Sequence, residues 1–310
     1  MQEKIVRRSN YPMVLGRGVA VISLAEWVYL NGEFVRSKDA AISPFDRGFL
    51  FAQAAYEVTA VYNGELIDFE AHLERLSRTL EGIEVLAPDE DLMALHQDLI
   101  RRNDLEQGLI YLQVTGGDQG PRDFYGPEDL KPGVFMFATH KTLIGDLARD
   151  GITAITVNDT RWKRRDMKTT QLLSQTLAYR AARRAGAHTA IMHEEGLVTE
   201  AASANLWMVA DDDVLVTREL GHALLPGITR ASLARLLRDQ GLKVEERAFS
   251  VEEMFAACEV FTSSTGVVIA PVLKVDETPI GTGLPGALTR RVQEVYYRYI
   301  GADISAIEWL

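Results

Sequence analysis

The sequence predicts an α+β protein of two domains. Two Asn-Gly dipeptides, Asn31-Gly32 and Asn63-Gly64, sit between short runs rich in Tyr and Val, the strongest short-range hairpin signal. Runs with helical spacing of apolar residues follow the hairpins and leave antiparallel strands on one side of a helical layer. The 310 residues suit about two domains at roughly 100–200 residues each. The expected divisions are an N-terminal extension at 1–24, a small α+β domain at 25–143, a linker at 144–150 and a larger, strand-rich domain at 151–310.

From Trp27, "WVYLNGEFVR" reads as the first hairpin and "AAYEVTAVYNGELIDF" as the second. "EAHLERLSRTLEGI" places Leu73, Leu76 and Leu80 at helical spacing. "DEDLMALHQDLIRRNDL" is a second amphipathic helix that begins at an acidic cluster, as the helix dipole prefers. "GLIYLQVTGG" and "VFMFATHKTL" return to strand. Residues 116–133 between them are dense in Gly, Pro and Asp and predict a long loop, a kind of segment usually kept for function.

The second domain opens on the strand "ITAITV" and the basic cluster of Arg161, Lys163, Arg164, Arg165 and Lys168. A helix, "TTQLLSQTLAYRAARR", is expected directly after Lys168. Short strands joined by "EEG" and "DDD" turns cover 189–217. "LPGITRASLARLLRDQG" is a loop entering a helix that carries Leu233, Leu236 and Leu237 on one face and stops at Gly241. "EVFTSSTGVVIAPVLKV" is strand, polar turn, strand.

A net charge of −11 argues against nucleic acid or anionic membrane as the main partner. One cysteine excludes an intrachain disulfide and a Cys-based zinc site and fits a reducing cytoplasm. Cys258, within "FAACEVF", is expected to be a small core residue. "MVLGRGVAVISLA" is broken by Arg17 and too short to span a bilayer. It runs straight into a strand pattern, against a signal peptide.

Several residues could carry chemistry. An amine at Lys168, at a helix start and beside other cations, would lose its proton more easily and become a nucleophile. A solvated basic patch explains the same cluster. Glu200 precedes the small-residue turn "AASAN"; it either caps a turn or faces a protonated ring nitrogen. The amides of Gly227, Ile228 and Thr229 at a helix start, and the turn of Ser264 and Thr265, are two candidate anion sites. Arg75 is a further candidate cation, or a surface arginine on its helix.

From about Trp27 onward the chain resembles the class IV (fold-type IV) pyridoxal-phosphate aminotransferases. The run from Glu200 through Asn205, then "VLVT", then "LLPGITR", follows that family's signature in order and spacing, with Trp207 where Phe or Tyr is usual. "FDRGFLFAQAAYEVTAVYNGELIDFEAHLERL" and "RWKRRDMKTTQLLSQTLA" are most similar to D-amino acid (D-alanine) aminotransferases. The resemblance implies pyridoxal 5′-phosphate as cofactor and Lys168 as its Schiff-base residue. It implies Glu200 as partner of the pyridine nitrogen and Arg161 as a neighbour of both. Arg75, Gly227, Ile228, Thr229, Ser264 and Thr265 would hold the phosphate, and Leu225 would pack on the ring. Tyr56 and Val58 would face the substrate. It also implies ping-pong transfer of an amino group from a D-amino acid to pyruvate or 2-oxoglutarate, no metal, and a homodimer with shared active sites.

Two departures touch the substrate side. Gly116 in "QVTGG" stands where relatives have a carboxylate-gripping arginine, and Arg122 in the longer loop is the candidate replacement. "FAQAAYE" stands where relatives often have Gly-Asp-Gly before Tyr-Glu. Alternatives are therefore an (R)-selective amine transaminase, a branched-chain L-amino acid aminotransferase, an aminodeoxychorismate lyase-like enzyme, or a non-catalytic binding module.

Overall fold

The computed structural model describes residues 23–310. The extension expected at 1–24 lies outside the described residues up to residue 22, and a strand begins at Ser23. In chain order the first unit comprises β1 (Ser23–Leu30), β2 (Glu33–Arg36), α1 (Arg47–Phe51), β3 (Ala54–Tyr62), β4 (Glu65–Leu66), α2 (Phe69–Gly82), α3 (Leu92–Arg102), β5 (Gln107–Thr115) and β6 (Gly133–His140). Its six strands form an antiparallel sheet in the order β2-β1-β6-β5-β3-β4. Both Asn-Gly turns close their hairpins with left-handed backbone at both residues, φ 48° and 104° at Asn31-Gly32 and 53° and 75° at Asn63-Gly64. That geometry matches the right-handed twist of the strands.

In β3 the pleat assigns opposite faces to successive residues. Ala55, Glu57, Thr59 and Val61 are buried, while Tyr56, Val58 and Tyr62 are half-buried. The inner face packs with α2 through a core of Leu76, Leu80, Ile110, Leu112 and Met136. α3 starts on Asp91, whose carboxylate accepts from the Ala94 amide, so the acidic cluster does cap a helix.

The second unit comprises α4 (Asp146–Asp150), β7 (Ile152–Asn158), α5 (Leu173–Arg184), β8 (Thr189–Glu194), β9 (Leu197–Ala201), β10 (Asn205–Val209), β11 (Leu215–Thr217), α6 (Ile228–Asp239), β12 (Val244–Glu246), α7 (Val251–Ala256), β13 (Glu259–Ser264), β14 (Val268–Val275), β15 (Thr278–Pro279) and α8 (Ala287–Tyr299). Nine strands make a mixed sheet in the order β12-β11-β10-β13-β14-β7-β8-β9, with β15 beside β14. The connection at 144–150 holds the short α4, whose last carbonyls accept from Arg290 and Gln293 of α8. Ala60, Tyr62, Ile67 and Leu109 of the first unit pack on a core around Trp207, Phe261 and Tyr297 of the second. Trp207 is fully buried, its indole N–H donates to Ser263 Oγ at 2.9 Å, and its ring stacks on Phe261. That polar partner is what a buried Trp needs in a place usually held by Phe or Tyr.

Two expectations need correction. Cys258 is exposed, not a core residue. It stands in the turn between α7 and β13, where its amide donates to Val209 O while its side chain faces out. The helix after Lys168 begins only at Leu173. Residues 168–170 instead run along the free edge of β3: Tyr56 N donates to Lys168 O at 3.0 Å and Thr170 N to Ala54 O at 3.1 Å. Lys168 therefore lies outside any helix, and the helix dipole has no part in its chemistry. Among the described residues no helix is long and apolar enough to cross a membrane.

Candidate active site

A cavity of about 280 Å³ opens where the edge of β3 meets the second sheet. Tyr56 and Arg75 enter it from the first unit, and Arg161, Lys168, Glu200 and Leu225 from the second. Its far wall joins the start of α6, with Gly227, Ile228 and Thr229, to the turn of Ser264 and Thr265. The structure thus gathers most of the candidates. It does not bring Val58, Gly116 or Arg122 to the cavity wall.

Lys168 is held by backbone pairing on both sides: its carbonyl accepts from Tyr56, and its amide donates to Thr79 Oγ1 at 3.3 Å. Its Nζ lies 4.0 Å from the centroid of the Tyr56 ring. The other cavity cations are paired with carboxylates: Arg75 with Glu57, Arg161 with Asp159 and Glu200, and Arg165 with Asp159 and Glu194. Among the described residues Lys168 is the cavity cation with no ion pair. Outside the cavity, Lys163 is exposed beside Glu194 and Arg164 pairs with Asp166, so both serve the surface.

Glu200, next to last in β9, lines the same cavity and is buried. Its Oε1 accepts from Arg161 Nη1 and from the Leu225 amide at 3.1 Å, and its Oε2 from Asn205 Nδ2 at 3.1 Å. Burial pushes the carboxyl up, while Arg161 and the Leu225 amide pull against that shift. Asn205 also donates to Leu225 O and so ties the Glu200 turn to the loop before α6. A Cβ on Gly227 would lie 1.9 Å from Asn205 Oδ1, which is why glycine stands there.

The anion cup has its own supports. α6 starts at Gly227, which offers no side-chain cap, so the first amides of the helix are left for a ligand. Arg75 is fixed by two bonds to Glu57, Nε to Oε1 at 2.8 Å and Nη2 to Oε2 at 2.7 Å, and by Nη1 to Pro226 O at 2.9 Å. His72 Nδ1 lies 2.7 Å from Glu57 Oε2. Burial pushes the Glu57 carboxyl up, but Arg75 and His72 outweigh it and hold it at about 2. The His72 imidazole is pushed down, mainly by burial.

Sequence reasoning did not single out Glu57, His72, Asp159 or Asn205. Their signals are present: Glu57 is an acid on the inward face of a strand, His72 and Arg75 are three apart on one helix, and Asp159 stands two residues before Arg161.

Near the loop, Gly116 sits against Arg47: a Cβ there would meet Gln53 Oε1 at 3.0 Å and Arg47 Cβ at 3.2 Å. Arg47 pins the loop by donating to Gln53, Gln119 and the carbonyls of Asp123 and Phe124. Arg122 is exposed and stacks over Phe51 and Phe124.

An amine left free of counter-ions, faced by a buried carboxylate and set beside an anion cup, is what pyridoxal 5′-phosphate asks of a protein, and the chain is an enzyme of that cofactor class. It belongs to the class IV aminotransferase family, whose profile matches residues 54–275. It is 34% identical over 277 residues to a D-alanine aminotransferase of Staphylococcus aureus, covering 89% of this chain and 98% of that one. It is 35% identical over 268 residues to a D-alanine aminotransferase of Bacillus licheniformis, covering 86% and 94%. The structure of a branched-chain amino acid aminotransferase from Escherichia coli superposes with a TM-score of 0.79 at 28% identity, covering 88% of this chain and 93% of that one. The two-unit fold agrees with that likeness.

Proposed function

We propose that this aminotransferase takes its amino group from D-amino acids and gives it to a 2-oxo acid such as pyruvate or 2-oxoglutarate, with Lys168 as the reacting amine. The observation that carries the assignment of Lys168 is its lack of any ion pair in a cavity where every guanidinium has one. The cofactor supplies an aldehyde that condenses with amines and a ring that draws electrons from the substrate. The chain's own groups do the rest. Lys168 Nζ would take the proton from the donor's Cα as base and then, as acid, give it up to the carbon on the far side of the nitrogen. The donor would leave as a 2-oxo acid, and a second 2-oxo acid would take up the amino group with Lys168 moving the proton in the opposite direction. Glu200 would face the ring nitrogen, with Arg161 beside both, and Leu225 would pack on the ring. Arg75, the amides at Gly227, Ile228 and Thr229, and the hydroxyls of Ser264 and Thr265 would hold the phosphate. Buried Glu57 and His72 keep Arg75 from turning away.

D-Amino acids are favoured over branched-chain L-amino acids because the D-alanine aminotransferases are the more similar sequences. The substrate face consists of Tyr56, with Val58, Gly116 and Arg122 reached when a second copy completes the site. Two chains of 34.5 kDa form a homodimer, which sedimentation would register as twice that mass; a fully active monomer overturns this. The domains divide at 144–150, and the enzyme works in the cytoplasm, which its single cysteine fits.

A donor screen tests the substrate class. D-Alanine and D-glutamate should be converted faster than L-leucine, and (R)-1-phenylethylamine should also react. Arg122→Ala should raise KM for D-alanine about 10-fold, the loss of one charge-assisted pair, and spare 1-phenylethylamine, which has no carboxylate. Equal losses on both donors would show that Arg122 does not hold the carboxylate. A preference for L-leucine would replace the D-amino acid reading.

A further inference from the structure

A chain of alternating charges runs from the surface to Glu200: Glu194, Arg165, Asp159, Arg161, Glu200. Asp159, at its centre, has a side chain with no exposure to solvent. Thr199 Oγ1 donates to its Oδ2 at 2.7 Å, and Arg165 Nε lies 3.4 Å from the same oxygen. Arg161 gives Asp159 most of its donors. Its backbone N and its Nε each donate to Oδ1 at 3.0 Å, and its Nη2 donates to Oδ2 at 2.7 Å. Only Nη1 is left for Glu200.

We propose that Asp159 is a positioning residue that restrains Arg161, so that Glu200 takes one hydrogen bond from the guanidinium and keeps its charge for the cofactor's ring nitrogen. The inference rests on the reading that Glu200 faces that nitrogen. A guanidinium free to turn would grip both carboxylate oxygens, a stronger and geometrically preferred pairing. It would also bring an uncompensated positive charge to the place where the ring must hold a proton, and a nearby like charge disfavours protonation. The Asp159 carboxylate cancels that charge, and its field favours a proton on a base beside Glu200. The other charged or titratable groups around Glu200 are Arg165 on the same side and Lys168, Tyr56 and Arg75 across the cavity; Arg165 and Arg75 carry carboxylate partners of their own.

The test uses holoenzyme loaded with pyridoxal phosphate labelled with nitrogen-15 in the ring, whose chemical shift reports protonation directly. In Asp159→Asn the pH midpoint for losing the ring proton should fall by about one unit or more, the scale of one nearby charge. In Arg161→Met the Asp159 charge is opposed by Arg165 alone and the midpoint should rise. The double variant should return towards the parent. Turnover of Asp159→Asn should fall about 10-fold with the natural cofactor and stay unchanged with an analogue carrying carbon in place of the ring nitrogen. If Asp159→Asn does not fold, the double variant against Arg161→Met decides: its midpoint should lie lower, and equal midpoints overturn the proposal. Unmoved midpoints, or shifts of the same sign in both single variants, overturn the proposal. Glu200→Gln separates the two levels: if it moves the midpoint and Asp159→Asn does not, the role of Glu200 stands and that of Asp159 falls.

Discussion

Lys168→Ala should lower turnover by about 10³-fold or more, because it removes both the nucleophile and the general base. The substitution is structurally mild. The bonds that fix this segment, from Tyr56 N to Lys168 O and from Lys168 N to Thr79 Oγ1, belong to the backbone and persist in the variant. The lysine side chain contributes only its contact with the Tyr56 ring, which at a solvated cavity is worth about 0.5–1 kcal/mol. Cofactor binding should survive through the cup at α6 and Arg75. Borohydride treatment followed by mass spectrometry checks the claim. The parent chain should gain the mass of a reduced cofactor on the peptide containing Lys168, and the variant should gain none. A covalently reducible cofactor in the alanine variant would remove Lys168 from its role.

Much of the fold was legible because it rests on local chemistry. Asn31-Gly32 and Asn63-Gly64 demand left-handed turns, and the structure has them. Leu73, Leu76 and Leu80 demand one buried helical face, and α2 runs over Phe69–Gly82. The helix expected directly after Lys168 overlooked a local cue. Thr169 and Thr170 are β-branched and suit a strand, residues 168–170 are captured by the open edge of β3, and the helix starts later. Cys258 has the composition of a core segment around it but falls in a turn, so its direction depends on how two elements meet.

The cavity divides along the same line. Lys168, Glu200 and the α6 start stand in short motifs that the family resemblance singles out, and the structure brings them to one cavity. Glu57, His72 and Asp159 do not line the cavity but fix Arg75 and Arg161, directly or through one another, and such contacts exist only once strands and helices are placed. Gly116 was visible as a missing arginine, but that Arg47 and Gln53 fill the space beside it requires the packing of α1 against the loop.

Glu57→Gln should cost about 3–5 kcal/mol of stability near neutral pH, the scale for leaving one partner of a buried ion pair uncompensated. The side chain keeps its shape, but Arg75, which is 3% exposed, is left with a buried charge and no carboxylate. The pH dependence has a definite sign. The Glu57 carboxyl stands at about 2 in the fold against an ordinary value of 4.5. Below 4.5 the unfolded chain binds a proton that the fold refuses, so stability falls with pH through this window and its contribution is lost near 2. Buried His96, pushed down from 6.5 to about 4, adds acid sensitivity at higher pH, but it does so equally in parent and variant. The comparison therefore isolates Glu57 together with His72, whose imidazole this carboxylate holds up against burial and which is pushed further down in the variant. Urea unfolding of both proteins from neutral pH downwards should show a gap that is present at neutral pH, grows while His72 takes up its proton in the unfolded chain, and shrinks below about 4.5 towards 2. A gap that is absent at neutral pH, or that does not shrink between about 4.5 and 2, would mean that the pair of Glu57 and Arg75 does not hold this side of the cavity together.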